Sequence, residues 1–308
     1  MMKDFKKFLI SAVAVVGLVF ILNESLGIFL DNKAVFVDQQ KYNRIERATE
    51  DLAILGASRA NNQYITNLIK DSLGVSTYNY GVGAQNVYTN YAILDLLVHK
   101  SKQKPKYVIW DFYFIDILDC PGWNTEKNNT LYSAYNESAT VKEVVNLQGG
   151  KTVWLLKYLR LYKFNSKLPR VLIENKIEQR NEILGGYIPL TVEYKDGIEE
   201  YEEDRTTLDK QKLEYVAKVF ELCKSNNIQL FVFISPGFYL LRDDPNDWAK
   251  VIEAKCKEGG IPFFNYEQDP YFLSHPEWFY NTLHLNDNGS KEYTSKIIND
   301  IKPILKSE

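Results

Sequence analysis

In the stretch Leu52-Ala53-Ile54-Leu55-Gly56-Ala57-Ser58, the most informative of the chain, a short apolar run ends in a turn of small residues followed by a hydroxyl. The run Leu52 to Leu55 predicts a buried strand, and apolar residues at helical spacing from Ser58 to Leu73, closed by Gly74, predict a helix. Ser58 is therefore expected between a strand and a helix. The free N–H groups and dipole of a helix start favour negative charge, which suits an attacking serine, although an ordinary N-cap is the alternative interpretation.

Four more strand-like runs alternate with helical patterns along the chain. They are Val75 to Tyr80, Tyr107 to Phe112, Leu230 to Ile234 and Pro262 to Tyr266. Such alternation predicts an α/β fold with a five-stranded parallel sheet and helices on both faces. Ligands in these folds bind beyond the carboxyl ends of the strands. Four residues are expected at that edge: Ser58, Gly81, Asp111 and Ser235.

A candidate base lies near the other end of the chain, in Asn281-Thr282-Leu283-His284, just before a helical pattern that runs to about Leu305. The chain has only 3 histidines. His99 lies beside lysines near the end of a helical stretch, and His275 lies in a Ser-His-Pro loop. His284 is therefore the histidine best placed to serve as a base, and a surface or core-edge imidazole is the alternative.

Together these segments resemble the SGNH (GDSL-like) hydrolase family in content and in order. Gly56-Ala57-Ser58 is similar to the family's first block, in which Asp usually takes the middle position. Asn79-Tyr80-Gly81-Val82-Gly83 looks like the second block, whose glycine gives an N–H group to the oxyanion hole. Asn281-Thr282-Leu283-His284 stands where the family carries Asp-x-x-His.

The resemblance implies a flavodoxin-like sheet with strand order 2-1-3-4-5 and a serine hydrolase site without a cofactor or metal. It implies Ser58 as nucleophile, His284 as base and Asn281 as the third member of the triad. It also implies an oxyanion hole built from the backbone N–H groups of Ser58 and Gly81.

Two positions depart from the family pattern. Asn281 replaces the usual Asp, so Glu277 or Asp287 is the next candidate if Asn281 is not the third member. The family's third block, a Gly-x-Asn-Asp loop after the third strand, has no clear counterpart in the segment from Val108 to Phe114. Asp111 lies in that segment, but an ionised carboxylate cannot donate a hydrogen bond to an oxyanion.

The amino terminus carries an export pattern. Three lysines, at positions 3, 6 and 7, precede an apolar run from Phe8 to Leu22, which is shorter than the ~20 residues of a spanning helix, although Leu26 to Leu30 continues it. No good cleavage site follows, so residues 1–32 are predicted to be an uncleaved signal anchor rather than a cleaved peptide. The positive-inside rule then predicts a single-pass protein of the cytoplasmic membrane whose catalytic domain is periplasmic or extracellular.

Residues 45–308 are predicted to form the hydrolase-like domain, and within it the alternation stops at about 115–205. This insertion is expected to be a cap over the catalytic edge or a subdomain that only thickens the fold. Within it, Lys151 to Arg170 mixes basic and apolar residues and is either a membrane-surface segment or a solvated helix face.

The charge of the chain argues against nucleic-acid binding. Because the net charge is −3 and the sequence has no basic run, we do not expect a nucleic-acid partner. A hydrophobic content of 45% over 308 residues is enough to bury a sizeable core. The three cysteines, Cys120, Cys223 and Cys256, are too few for a disulfide framework and lack the spacing of a metal site.

The family resemblance, together with the export pattern, implies an extracytoplasmic serine esterase or O-acyltransferase that acts on acyl groups, such as acetyl, of a cell-envelope polysaccharide. The resemblance to anchored members of the family implies an acylated or acceptor envelope glycan as partner, beside a multi-pass membrane acyl-transfer protein. The alternative is a non-catalytic glycan-binding or scaffold protein on a decayed hydrolase fold, which Asn281 and the missing third block favour. Reactivity of Ser58 distinguishes the two.

Overall fold

The computed structural model of the chain describes residues 2–33, 41–42, 44–119, 131, 134–135, 138–148, 153, 155, 158–164, 184–201, 207–241 and 248–305. The chain separates into two compact units. The first unit comprises Met1–Gln40 with Asn128–Glu178, and the second comprises Lys41–Lys127 with Gln179–Glu308. The second unit therefore contains all the candidate site residues.

The strands of the second unit, in the part of the chain that is described, are β1 Leu52–Gly56, β2 Thr77–Asn79, β3 Tyr107–Asp111, β4 Glu199–Tyr201, β5 Gln229–Ile234, β6 Tyr239–Leu241, β7 Phe263–Asn265, β8 Phe279–Asn281 and β9 His284–Leu285. Five of them form one sheet in the order β2-β1-β3-β5-β7, and each neighbouring pair is parallel. This sheet confirms the predicted five-stranded α/β fold, and its order is the one that the family resemblance implies.

The helices described are α1 Met2–Lys33, α2 Ser58–Gln63, α3 Thr66–Leu73, α4 Val87–His99, α5 Ala139–Gln148, α6 Lys210–Ser225, α7 Trp248–Gly259, α8 Pro270–Leu273 and α9 Asp287–Leu305. Short 3-10 turns lie at Ile45–Arg47, Phe114–Asp116, Arg160–Phe164 and Pro276–Trp278.

Helices cover both faces of the sheet. Successive strand residues point to opposite faces, so each strand of a covered sheet is apolar throughout. On one face, Leu52 and Ile54 of β1 belong to a buried cluster with Ala60 of α2, Ile69 of α3 and Ile297 of α9. On the other face, α4 packs against α6, and these helices contact β1 and β5 respectively.

The helix predicted from Ser58 to Leu73 is two helices, because the chain is extended at Tyr64 between α2 and α3. The break turns the Tyr64 side chain into the core, where its hydroxyl donates to Asp111 Oδ1 at 2.7 Å. The freed backbone N–H of Ile65 donates to Thr294 Oγ1 at 3.1 Å. Apolar spacing continues across the break, so the sequence pattern did not reveal it.

In the first unit, α1 is the described helix that is long and apolar enough to cross a membrane, over Lys3–Leu30. Helix α1 continues through the polar residues Asn23 and Glu24, whose side chains have partners in the Arg160–Phe164 turn. Asn23 Oδ1 accepts the N–H of Leu161 at 3.1 Å, and Arg160 lies 3.6 Å from the Glu24 carboxylate. The carboxyl end of α1 is therefore built into the first unit.

Much of the predicted insertion at 115–205 lies outside the described residues, including Cys120 and most of the stretch from Lys151 to Arg170. Its described parts include α5, the Arg160–Phe164 turn and β4, which pairs with β6. Cys223 in α6 and Cys256 in α7 are buried free thiols. Burial raises the pKa of each thiol to about 12, so both are unreactive.

Candidate active site

Ser58 begins α2 directly after β1, and the turn that exposes it depends on glycine. Gly56 has φ +141°, and a Cβ there would come within 2.7 Å of the Asp111 carbonyl oxygen and 2.8 Å of the Ala60 Cβ. Only glycine fits this close approach of β1, β3 and α2. The N-cap residue Ala57 makes no side-chain cap, so the first N–H groups of α2 are left for another partner. The Ser58 side chain itself is half-buried.

The structure brings Ser58, His284 and Asn281 together, although Ser58 and His284 are 226 residues apart in the sequence. Ser58 Oγ lies 2.7 Å from His284 Nε2. On the other side of the ring, His284 Nδ1 lies 2.9 Å from Asn281 Oδ1. The hydroxyl, imidazole and amide form a relay with the geometry of a nucleophile, a base and an orienting group.

The contacts of Asn281 fix the tautomer of His284. Its Oδ1 atom accepts the backbone N–H groups of Leu283 and His284, each at 2.9 Å, so this atom must be the amide oxygen. An oxygen cannot donate, and His284 therefore carries its proton on Nδ1. The lone pair on Nε2 is left to accept the Ser58 hydroxyl proton, which is the tautomer a general base requires.

The two alternative third members are engaged elsewhere. Glu277 lies 2.9 Å from Nδ1 of His275 on the surface. Asp287 begins α9, where its carboxylate accepts the Tyr187 hydroxyl at 2.9 Å and pairs with Lys291 at 2.9 Å. Asn281 is the residue that contacts His284 Nδ1.

The environment of His284 favours its neutral form. Burial and, second, the positive charge of Arg59 lower the pKa of His284 to about 4. A carboxylate partner would raise this pKa, but the partner here is a neutral amide. His284 is consequently unprotonated and able to accept a proton at any pH well above 4.

Gln63, which no sequence motif marks, joins α2 to the segment that carries His284. Its side chain is fully buried at the end of α2, and its amide donates to the Leu283 carbonyl at 3.2 Å. The end of α2 is further tied to α9, since the hydroxyl of Ser290 donates to the Asn62 carbonyl at 3.0 Å. These bonds join α2 to the His284 segment and to α9.

Gly81 lies in the loop after β2 and packs against α2. A Cβ on Gly81 would come within 2.7 Å of Ala60 Cβ and 2.8 Å of the Asn61 backbone nitrogen. Its N–H group, however, donates to Asn79 Oδ1 at 2.9 Å. A role of Gly81 in the oxyanion hole therefore stays a prediction, and it requires this bond to be shared or exchanged when substrate binds.

Asp111 ends β3, Ser235 directly follows the neighbouring strand β5, and their side chains contact each other. Asp111 Oδ1 accepts the hydroxyls of Tyr64, at 2.7 Å, and of Ser235. Tyr64 is also within 3.1 Å of the Tyr293 hydroxyl. Burial raises the pKa of Asp111 above its ordinary value, although the charge of Arg59 opposes that shift. These residues link β3, β5, α2 and α9 and are placed to support the site from below.

Arg59 is the second residue that the sequence analysis missed. It follows Ser58 directly, and its side chain is only 2% exposed. Its guanidinium carbon lies 4.5 Å from the centre of the Tyr113 ring. Sequence gives no sign that this arginine is buried, because arginine at the start of a helix is usually solvated.

Among the described residues there is no group of three or more His, Cys, Asp or Glu side chains that could hold a metal ion.

Fold and site together define an α/β protein with a Ser-His-Asn relay at the carboxyl edge of a parallel sheet. No family model matches the chain, and no curated protein sequence matches it. Among solved structures, the chain is similar to the psychrotrophic esterase EstA from Pseudoalteromonas sp., in a form inhibited by monoethylphosphonate. The two are 9% identical, the match covers 83% of this chain and 98% of that one, and the TM-score is 0.42.

Proposed function

We propose that the protein is an extracytoplasmic serine esterase or O-acyltransferase that acts on acyl groups, such as acetyl, of a cell-envelope polysaccharide. The observation that carries this proposal is the relay in which His284 contacts Ser58 Oγ at 2.7 Å and Asn281 Oδ1 at 2.9 Å. A histidine with its proton on Nδ1 and a free Nε2, within reach of a serine at a helix start, is the arrangement that activates a hydroxyl for attack on an ester.

Acyl transfer begins with proton transfer from Ser58 to His284. As Oγ forms a bond to the ester carbonyl carbon, Nε2 takes the hydroxyl proton, and the carbonyl electron pair moves onto the carbonyl oxygen. The N–H group of Ser58, and that of Gly81 once released from Asn79, are the candidate donors to this oxyanion. Collapse of the intermediate expels the sugar hydroxyl, which takes the proton from His284, and leaves the acyl group on Ser58.

The second half-reaction decides between an esterase and a transferase. Water or a second sugar hydroxyl gives its proton to His284 and attacks the acyl-enzyme, and Ser58 leaves with that proton. The relay serves either acceptor, because the same base and the same nucleophile are used in both.

Asn281 implies modest turnover. Its amide oxygen holds His284 in the productive tautomer, but it brings no charge to stabilise the imidazolium that forms during attack. A base with a pKa near 4 also accepts a proton less readily than one tuned near neutrality. The site is therefore expected to be correctly built and slow.

The anchored location is supported by α1 and by the way in which its end is fixed. Its exposed apolar residues would lie in the bilayer, and Asn23 and Glu24 are bonded to the Arg160–Phe164 turn. Removal of α1 would leave these contacts unmade, which favours an uncleaved anchor. In this position the protein could receive acyl groups beside a multi-pass membrane acyl-transfer protein and use an envelope glycan as substrate or acceptor.

The proposal is tested with the full-length chain in detergent, incubated with p-nitrophenyl acetate and with an O-acetylated polysaccharide. Catalysis predicts acetate release, or acetyl transfer to added polysaccharide, together with a transient acetyl adduct on Ser58 detected by mass spectrometry. A chain that binds the polysaccharide but shows neither turnover nor an adduct is a scaffold, and the enzymatic proposal is then wrong.

A further inference from the structure

Arg59 is a buried cation whose hydrogen-bond donors are unused. It lies next to Ser58 in α2, and its Nε and both terminal nitrogens are buried without a hydrogen-bond partner in the described part of the chain. Buried polar groups are nearly always hydrogen-bonded, and an unpaired charged group is costly to keep away from water. A position that retains such a group calls for a functional explanation.

The nearby carboxylates do not supply the missing bonds. Asp111, at the end of β3, accepts its hydrogen bonds from Tyr64 and Ser235. Glu267, which follows β7, accepts the hydroxyl of Tyr239 at 2.6 Å. Both carboxylates act on Arg59 through space and, with two tyrosines, keep its pKa above the ordinary value although burial opposes this. The guanidinium therefore keeps its charge, and its nitrogens make no hydrogen bond within the described part of the chain.

Arg59 belongs to the helix that begins at Ser58, and its guanidinium lies close to the carboxyl end of β3. It stacks over Tyr113, two residues beyond the end of β3, and β3 pairs with β1 so that Asp111 is opposite Gly56. The stretch from Val108 to Phe114, where the family resemblance places a donating asparagine, contains none. The charge of Arg59 also reaches His284, since it is the second cause, after burial, that lowers the pKa of that histidine.

We propose that Arg59 is a catalytic residue whose guanidinium donates a charge-assisted hydrogen bond to the oxyanion formed when Ser58 attacks the ester carbonyl. This inference rests on the proposed acyl-transfer function and names a donor for it. No proton leaves Arg59. The carbonyl electron pair moves onto oxygen as the Oγ–C bond forms and returns to rebuild the carbonyl as the alcohol departs with the proton from His284.

Arg59 has the charge and the dry surroundings that favour a strong hydrogen bond to an oxyanion. Hydrogen bonds from a charged donor are about twice as strong as neutral ones, and a donor already held in a dry site needs no reorganisation when charge develops. The same positive charge opposes protonation of His284. Arg59 is therefore expected to stabilise the oxyanion while it makes the base weaker, and these two effects respond differently to mutation.

The test is Arg59→Met, which keeps much of the side-chain length and removes both the charge and the donors. The full-length variant and the wild type are compared in detergent from pH 3 to pH 9, by p-nitrophenyl acetate hydrolysis and by the rate of covalent reaction with a fluorophosphonate probe. We expect kcat on the high-pH plateau to fall by about 10²–10³, the loss typical of one oxyanion donor, with little change in KM. We also expect the acid limb of the profile to move to higher pH, because His284 loses its cationic neighbour.

Arg44→Met is the matched control. Arg44 also lies over a tyrosine ring, 4.0 Å from the centre of Tyr78, but it is paired with Glu50 and is not at the site. Its replacement is expected to leave the plateau and the acid limb unchanged. If Arg59→Met does not fold, Arg59→Gln is used instead, because it keeps N–H donors without the charge. We expect its kcat on the high-pH plateau to be at least tenfold lower than that of the wild type. We also expect its acid limb to move to higher pH.

A plateau that is unchanged or higher in the Arg59 variants, with or without movement of the acid limb, overturns the proposal, since Arg59 would then at most adjust the pKa of His284. A wild-type chain that reacts with neither reagent overturns the proposed acyl-transfer function and this role with it. A reactive wild type with an equally reactive Arg59→Met variant overturns the role of Arg59 alone.

Discussion

Because Asn281, the partner of His284, is neutral, its replacement by Asp should change the pH at which Ser58 loses reactivity. Asn281→Asp replaces the amide oxygen that lies 2.9 Å from Nδ1 with a carboxylate oxygen of the same size. The backbone N–H groups of Leu283 and His284, which now donate to Oδ1, can donate to the carboxylate as well. The substitution therefore adds a negative charge beside the imidazole with little change in shape.

The size of the effect follows from the distance. Two unit charges about 4 Å apart at an effective dielectric constant of about 20 interact by about 4 kcal/mol, or about 3 pKa units. Shifts caused by one adjacent opposite charge are about 1–3 units. Since the pKa of His284 is lowered to about 4, the variant should titrate between about 5 and 7.

The assay is the rate constant for covalent reaction of Ser58 with a fluorophosphonate between pH 3 and pH 9, which needs no knowledge of the natural substrate. The wild type should lose reactivity only near pH 4, and Asn281→Asp should lose it at a pH at least one unit higher, with an equal or faster plateau. Glu277→Gln is the matched control, because Glu277 pairs with His275 and its loss should leave the limb in place. A wild-type limb at pH 6–7, or no shift in Asn281→Asp, contradicts the reasoning.

Three further predictions concern the relay, its linkage to folding and the membrane topology. Asn281→Ala should lower kcat at least tenfold, about 1.4 kcal/mol of transition-state stabilisation, in ester hydrolysis near neutral pH, and an unchanged rate means that Asn281 does not orient His284. Protonation of His284 is easier in the unfolded chain, so its contribution to stability is full above pH ~6.5 and is lost toward the folded-state pKa of about 4. In denaturant unfolding, the free energy of unfolding of the wild type should fall by about 3 kcal/mol over this pH range relative to that of His284→Gln. If the free energies of the two proteins instead change with pH in parallel, the pKa of His284 is not depressed. A reporter active only outside the cytoplasm, fused after Glu308, should be active, and a cytoplasmic signal would exclude an envelope substrate.

The sheet could be predicted because its signals are local. Leu52 to Leu55 is apolar throughout and ends in Gly-Ala-Ser, and a strand covered on both faces has no other pattern to show. The break at Tyr64 escaped prediction for the opposite reason. It depends on the partners of Tyr64 and Ile65, namely Asp111 and Thr294, which are distant in sequence and are brought there only by the fold.

The site was predicted to the extent that its residues have distinctive chemistry. His284 stood out because histidines are few, and the structure places it 2.7 Å from Ser58 Oγ. Gln63 and Arg59 gave no such signal, since neither is rare and their importance lies in being buried at α2. For Gly81 the sequence motif identified the residue, but it could not show that its N–H group donates to Asn79 Oδ1.

The most direct test of the account is the intact mass of the full-length protein after reaction with a fluorophosphonate, followed by peptide mapping. Ser58 Oγ lies 2.7 Å from an imidazole held in the base tautomer, so we expect one adduct, on Ser58, and none in a Ser58→Ala variant that unfolds at the same temperature. No adduct on the folded wild type, or an equal adduct on Ser58→Ala, would contradict the assignment of Ser58 as a nucleophile.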